Sequence, residues 1–280
     1  MKKIIAFQGS KGANSNLACE KFYPEFEAQA FSGFVDVFQA VSSGKVEMGM
    51  IPLENSSAGR VSEIHELLQE YNVSIIAEHF VEIEHCLASV KGATIQDIKK
   101  VYSHPQALMQ CKNNLRELGV EACESSNTAE AAKFVFSTQN KSKAALCSKV
   151  AAQVNGLEII KEKMQDLQNN STLFIVISQH KPEVNSEVSP VITSIIFTIK
   201  NYPGSLYKAI GSFATNSVGM MQIESFIRGG ASKQAAFFVI IEGHENQQNV
   251  SQALKELEFF AKDVKVLGSY YADKSRFQCA

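Results

Sequence analysis

Thr172 stands in the run Asn169-Asn170-Ser171-Thr172-Leu173-Phe174-Ile175-Val176-Ile177, where a polar tetrad passes straight into an apolar strand. A hydroxyl at the mouth of a buried strand aims one donor into a cleft, so chemistry is expected here first. Pro52-Leu53-Glu54-Asn55-Ser56-Ser57-Ala58-Gly59-Arg60 follows a predicted strand and precedes a helix, the place where open α/β sheets bind ligands. Glu54, Asn55 and Ser56 offer an acceptor or acid, an amide and a hydroxyl, although Asn55 and Ser56 equally suit a turn or a helix cap. Ser103-His104-Pro105-Gln106 has the same two faces. Ser-x-x-Gln is a capping box with Pro105 in the first helical turn, and the free N–H groups there also favour a bound carboxylate. If Gln106 is used in the cap, it cannot also hold a substrate.

The elements that must position these residues follow from periodicity. Ile4–Phe7 reads as a strand, and Gly9-Ser10-Lys11-Gly12-Ala13-Asn14-Ser15 as a strand-to-helix turn that is neither a P-loop nor a dinucleotide fingerprint. Phe34, Val37, Phe38 and Val41 mark a helical face ending before Gly44, and Val61, Ile64, Leu68 and Tyr71 mark another. Strands are predicted at Met48–Leu53, Lys100–Tyr102, Ala144–Cys147 and Leu173–Ile177, with extended chain at 73–77 and 81–87. Helices are predicted near 105–118 and 128–137, the second opened by a capping box from Asn127 to Glu130. Alternating strands and helices up to residue 180 define an α/β region. His180–Pro190 is polar with two prolines and suits a linker. Beyond it the order β-α-β-β-α-β is a ferredoxin-like module.

Composition removes several classes of function. Lys plus Arg number 27 and Asp plus Glu 29, a net charge of -2 that gives no electrostatic case for nucleic acid or an anionic membrane. The cysteines at 19, 86, 111, 123, 147 and 279 form no C-x-x-C pair, so no metal site is expected, and buried free thiols of a reducing cytosol are. The six histidines are scattered, with no nucleophile elbow and no Cys–His spacing. The opening Met1–Gly9 is too short in apolar residues for a signal peptide, and no run approaches membrane-spanning length. A cytoplasmic protein acting on a small molecule is expected.

Taken in order, Phe7-Gln8-Gly9 with Gly12-Ala13-x-Ser15, Phe38-x-Ala40-Val41-x-x-Gly44, Pro52-Leu53-Glu54-Asn55-Ser56-x-x-Gly59 and Ser103-His104-Pro105-Gln106-Ala107-Leu108 resemble prephenate dehydratase along nearly the whole chain. Pro203-Gly204-Ser205-Leu206-Tyr207 and Ile223-Glu224-Ser225 resemble the regulatory ACT domain attached to such enzymes. The resemblance implies a two-lobed catalytic region, residues 1–180, folded like a type II periplasmic binding protein with the site between the lobes. The lobes would be about 1–77 plus 161–180, and about 78–160, followed by a linker at 181–191 and an ACT domain at 192–271. It also implies cofactor-free conversion of prephenate to phenylpyruvate with loss of water and carbon dioxide, in a homo-oligomer of at least two subunits regulated by phenylalanine.

Carried onto this chain, the resemblance makes Thr172 the proton donor to the leaving hydroxyl. Ser15, Glu54, Asn55, Ser56, Ser103, Gln106 and Phe174 become substrate-binding positions, and Pro203, Gly204, Ser205, Leu206, Glu224 and Ser225 the phenylalanine site. Neutral donors fit the chemistry, because the substrate is a dianion that needs orientation and one proton rather than an ion pair on the departing carboxylate. Two departures stand out. The family's Thr-Arg-Phe triplet is Thr172-Leu173-Phe174 here, and its Glu-Ser-Arg-Pro run is Glu224-Ser225-Phe226-Ile227. Strand alternation turns Leu173 away from the Thr172 hydroxyl, so activity is expected to survive the first departure. Arogenate dehydratase and a non-catalytic amino-acid sensor are the alternatives.

Overall fold

Ile5, Ala6 and Phe7 are buried, as their apolar run requires, and they open the first of the three sheets found among the described residues. The computed structural model describes residues 3–57, 59–166, 170–185, 189–228 and 234–277. Asn169, Cys279 and residues 186–188 of the expected linker lie outside the described residues. The first elements are β1 (Ile4–Gln8), α1 (Asn14–Phe22), β2 (Glu27–Phe31), α2 (Phe34–Ser42), β3 (Met48–Asn55), β4 (Gly59–Arg60), α3 (Ser62–Glu70) and β5 (Ser74–Glu82). Next come β6 (Cys86–Ser89), β7 (Lys100–Ser103), α4 (Pro105–Gln110), α5 (Lys112–Glu117), β8 (Glu121–Glu124), α6 (Thr128–Thr138), β9 (Lys143–Cys147), α7 (Lys149–Val154) and β10 (Glu158–Lys161). The chain continues with β11 (Ser171–Ser178), β12 (Val191–Ile199), α8 (Ser205–Thr215), β13 (Met220–Arg228), β14 (Gln234–Glu242), α9 (Gln248–Phe260) and β15 (Ala261–Tyr271).

One sheet has the order β2-β1-β3-β11-β5 with β4 paired to β3, and a second the order β10-β6-β9-β7-β8. The third is β13-β14-β12-β15, all antiparallel, which with α8 and α9 completes the expected β-α-β-β-α-β order. No described helix is long and apolar enough to cross a membrane. The residues fall into two units. One comprises the chain up to Val37 with Met50–Arg60 and Phe80–Phe174, and the other Phe38–Gly49, Val61–His79 and the chain from Ile175.

Within the first unit, the second sheet is cored by Leu87, Val101, Leu146 and the α4–α5 residues Ala107, Leu108, Cys111 and Leu115. Two expectations for this segment need correction. The helix expected over 105–118 is broken at Cys111, whose φ of -118° and ψ of 17° are not helical. The capping box from Ser103 to Gln106 does not form. Ser103 is still in β7 and donates its hydroxyl to the Leu146 carbonyl at 2.6 Å, so His104 becomes the cap, its Nδ1 accepting from the Gln106 amide at 3.3 Å. At α6 the Asn127 half of the expected capping box forms, its Oδ1 accepting from the Glu130 amide at 2.8 Å.

Within the second unit, Ile195, Phe197, Phe237, Val239 and Ile241 point to one face of the third sheet, under Ala209, Phe213, Val250 and Leu257 of α8 and α9. Strand alternation sends Phe226 and Phe238 to the other face. There His65 of α3 stacks on Phe226 at 5.4 Å and meets the Phe238 edge at 5.0 Å. Lys265 of β15 donates to the Leu68, Gln69 and Tyr71 carbonyls at 2.8, 3.2 and 2.7 Å, closing the C-terminal end of α3 with a cation where the helix dipole favours one. Gly268 is required here, because a Cβ would collide with the Ile75 carbonyl.

Candidate functional site

β3 and β11 are neighbours in the first sheet, and their ends bring Asn55 to Thr172. Ser56 makes the stitch: its amide donates to the Ser171 carbonyl at 2.9 Å, and its Oγ accepts from the Ser171 amide at 3.0 Å. Backbone groups then fix the Asn55 side chain. Its Oδ1 accepts from the Ser57 amide at 3.0 Å, and its Nδ2 donates to the Ser171 carbonyl at 3.1 Å. An N–H can only donate and a carbonyl only accept, so the amide has one possible orientation.

That orientation decides what Thr172 can do. Asn55 Nδ2 shares its two protons among three acceptors, Thr172 Oγ1 and Asn170 Oδ1 at 2.9 Å and the Ser171 carbonyl at 3.1 Å. Thr172 is therefore the acceptor in this bond, and its own hydroxyl proton is left for another partner. The residue is buried, 8 % exposed, so that proton is not dispersed into bulk water.

Gln110 extends the network. Its Nε2 donates to Asn55 Oδ1 at 3.1 Å, and its Oε1 accepts from Asn170 Nδ2 at 3.1 Å and meets His85 Nε2 at 3.0 Å. Gln110 and Asn170 line a cavity of about 280 Å³ together with Ser57, Gln106, Met109, Asn113, Gln165 and Asp166. Asp166 accepts the Asn113 and Asn114 amides at 2.9 and 3.1 Å at the start of α5. Burial pulls the His85 pKa below its ordinary value, against the hydrogen bond to Gln110, and so favours the neutral ring.

The expected positions divide clearly. Asn55, Ser56 and Thr172 are joined by direct or shared hydrogen bonds, and Gln106, not needed to accept in a cap, lines the same cavity as Gln110. Ser103 is fully buried against Leu146, Ser15 lies buried in α1, and Phe174 is buried two residues along β11 from Thr172. Glu54 sits opposite Arg60 in the β3–β4 pair. In the third sheet, Glu224 faces α3, with its Oε2 3.4 Å from His65 Nε2, whereas the exposed Ser225 is on the opposite face of β13. Gly204, at φ 79°, precedes the first residue of α8, Ser205.

Gln110, Asn170 and His85 are the residues that sequence reasoning missed. Gln110 had a usable signal, since it follows Gln106 by four residues and so shares its helix face. Asn170 lay in the polar run that opens β11. His85 had none, being one of six scattered histidines, in a run where charged and apolar residues alternate.

Amides and one threonine hydroxyl, with the cavity's carboxylate, Asp166, engaged by the Asn113 and Asn114 amides, are suited to orienting a polar substrate and giving it a proton. Comparison with known proteins identifies the class. The prephenate dehydratase family model matches residues 5–182, and the chain belongs to that family. It is 37 % identical over 98 % of its length to a bifunctional N-acyl-homoserine lactone acylase/prephenate dehydratase of Komagataeibacter europaeus, of which it covers 98 %. It is 35 % identical over 96 % of its length to arogenate dehydratase 2 of Petunia hybrida, covering 72 % of it. In fold it matches the prephenate dehydratase of Arthrobacter aurescens solved with L-Phe, with a TM-score of 0.88 and 24 % identity over 96 % of this chain and 90 % of that one.

Proposed function

We propose that this chain converts prephenate to phenylpyruvate, with Thr172 giving the proton. The observation that carries the reading is the bond from Asn55 Nδ2 to Thr172 Oγ1, which leaves the threonine proton to be donated. As the ring carboxylate breaks away as carbon dioxide, its electron pair enters the ring. The ring C–O bond breaks as the hydroxyl takes the Thr172 proton to leave as water, and Thr172 regains its proton from solvent, which supplies the one proton the overall reaction consumes. Aromatisation drives both cleavages, so the protein's task is orientation and a single proton transfer, worth about 10²–10⁴ in rate. Gln106 and Gln110 offer neutral amides to the cavity, which can orient the substrate without pairing an ion to the departing carboxylate.

Arogenate is the second reading, favoured by relatives named arogenate dehydratase. Purified protein given each substrate separately distinguishes them, with phenylpyruvate and phenylalanine followed as products. Phenylpyruvate from prephenate is the expected result, and no turnover of either substrate by folded protein overturns the enzyme reading.

The same proposal assigns residues 192–271 as an ACT domain joined by the 181–191 linker to the catalytic region at 1–180. Phenylalanine would bind around Pro203, Gly204, Ser205, Leu206, Glu224 and Ser225 in a cytoplasmic homo-oligomer. The β-α-β-β-α-β order and the positive φ of Gly204 at the start of α8 support it.

A further inference from the structure

Asn55 has a single orientation, and it propagates. Gln110 Nε2 must be the atom that donates to Asn55 Oδ1, because that oxygen already accepts the Ser57 amide. Gln110 Oε1 is then an acceptor, receiving Asn170 Nδ2 on one side and facing His85 Nε2 on the other. An oxygen facing a ring nitrogen at 3.0 Å is a hydrogen bond only if that nitrogen carries the proton. The histidine is therefore neutral with its proton on Nε2. The remaining atom agrees: Nδ1 is buried without a hydrogen-bond partner among the described residues, tolerable for a lone pair but costly for an N–H. The main chain holds the ring in place, the His85 amide donating to Gln165 Oε1 at 3.1 Å and its carbonyl accepting from the Met164 amide at 2.8 Å.

We propose that His85 is a positioning residue for the threonine proton donor, acting from behind the site through Gln110. With the proton on Nε2, Gln110 meets His85, Asn170 and Asn55 with every bond satisfied, and so holds in place the Asn55 amide that donates to Thr172. With the proton moved to Nδ1, two lone pairs face each other at Gln110. Rotating the Gln110 amide to relieve that would set its oxygen against Asn55 Oδ1 and its NH₂ against Asn170 Nδ2. No intermediate arrangement satisfies the set, so the His85 tautomer and the Gln110 amide are coupled, and Gln110 in turn braces the Asn55 amide that faces Thr172. His85 touches none of the cavity itself, and the coupling is its only route to the chemistry.

This inference rests on the dehydratase reading with Thr172 as donor. His85→Leu, which removes the donor at similar bulk, is expected to lower kcat about tenfold, the effect of one lost hydrogen bond, with KM changed less than about threefold. His85→Gln, whose amide nitrogen reaches the Nε2 position, is expected to recover kcat to within about threefold of wild type. The ¹⁵N shifts of the labelled wild-type protein should show Nε2 protonated and Nδ1 bare. A merely structural role would lower the melting temperature of both variants without separating their kcat values. Wild-type kcat in folded His85→Leu, or a proton found on Nδ1, overturns the proposal while leaving the dehydratase reading intact. Absence of turnover by the wild-type protein overturns both.

Discussion

Thr172 is one hydroxyl whose role depends on which way its proton points, and Asn55 decides that. Thr172→Ser keeps the oxygen and the accepted bond, and is expected to retain kcat within about tenfold; Thr172→Val keeps the shape, loses the proton and should cost about 10²–10⁴ in kcat. Steady-state kinetics beside a thermal melt check this, and near-normal turnover by Thr172→Val would remove the threonine from the reaction. His85 adds a pH signature. Burial lowers its folded pKa below the ordinary 6.5, so between the two values the unfolded chain binds the extra proton. Stability is then complete above about 6.5 and falls as the pH drops below it, and the slope of Tm against pH between 7 and 5 should flatten in His85→Gln. Motif order put Asn55, Ser56 and Gln106 forward, and the resemblance added Thr172 as proton donor; the structure joins Asn55, Ser56 and Thr172 by hydrogen bonds and sets Gln106 in the cavity that Gln110 lines. What the sequence hides is direction, because a hydrogen-bond network is assembled by residues 55, 85, 110 and 170, brought together by folding alone.

The strands that sequence reading overlooked share one property. β2, β8 and β10 lie at sheet edges, and their residues Glu27–Phe31 and Glu121–Glu124 are mostly exposed, so neither alternation nor an apolar run marks them. β11 is the opposite case, lying between β3 and β5 with all but its first residue buried, and its apolar run announced it. That burial bears on Leu173, which is 4 % exposed. Restoring the family's arginine by Leu173→Arg puts a cation into a buried row, and a loss of several kcal/mol and of expression is expected. A melt and kcat/KM measured together decide it: a rise in kcat/KM at unchanged Tm would mean that the guanidinium reaches the substrate. At α3 the decisive feature is Lys265, three of whose protons satisfy C-terminal carbonyls. Lys265→Met should cost about 1.5–3 kcal/mol, lowering Tm by roughly 4–10 °C, with little change in kcat. No such contact could be read from a sequence separation of nearly two hundred residues.

At the scale of the whole chain, the claim open to the sharpest test is that the C-terminal module binds phenylalanine. A ligand that binds only the folded state stabilises it by about 2.7 kcal/mol at a hundred times its Kd, enough to raise Tm by roughly 5–10 °C in a protein of this size. The module's order of elements was legible because α8 and α9 each show a 3.6-residue apolar period between strands of alternating or continuous apolar residues. Its ligand was not, since Glu224 faces α3 and Ser225 the other side of β13, a split that only the strand's pairing reveals. Gly204 separates binding from folding. Its φ of 79° is strained for any side chain, yet nothing lies within 4 Å of where a Cβ would stand, so Gly204→Ala should fold with a loss of about 1 kcal/mol. If the backbone turn before α8 holds the amino acid, that variant keeps its dehydratase kcat without effector but loses the phenylalanine-dependent rise in Tm and any phenylalanine inhibition. Should the rise in Tm persist undiminished in Gly204→Ala, phenylalanine binds elsewhere, and the turn before α8 serves only to start the helix.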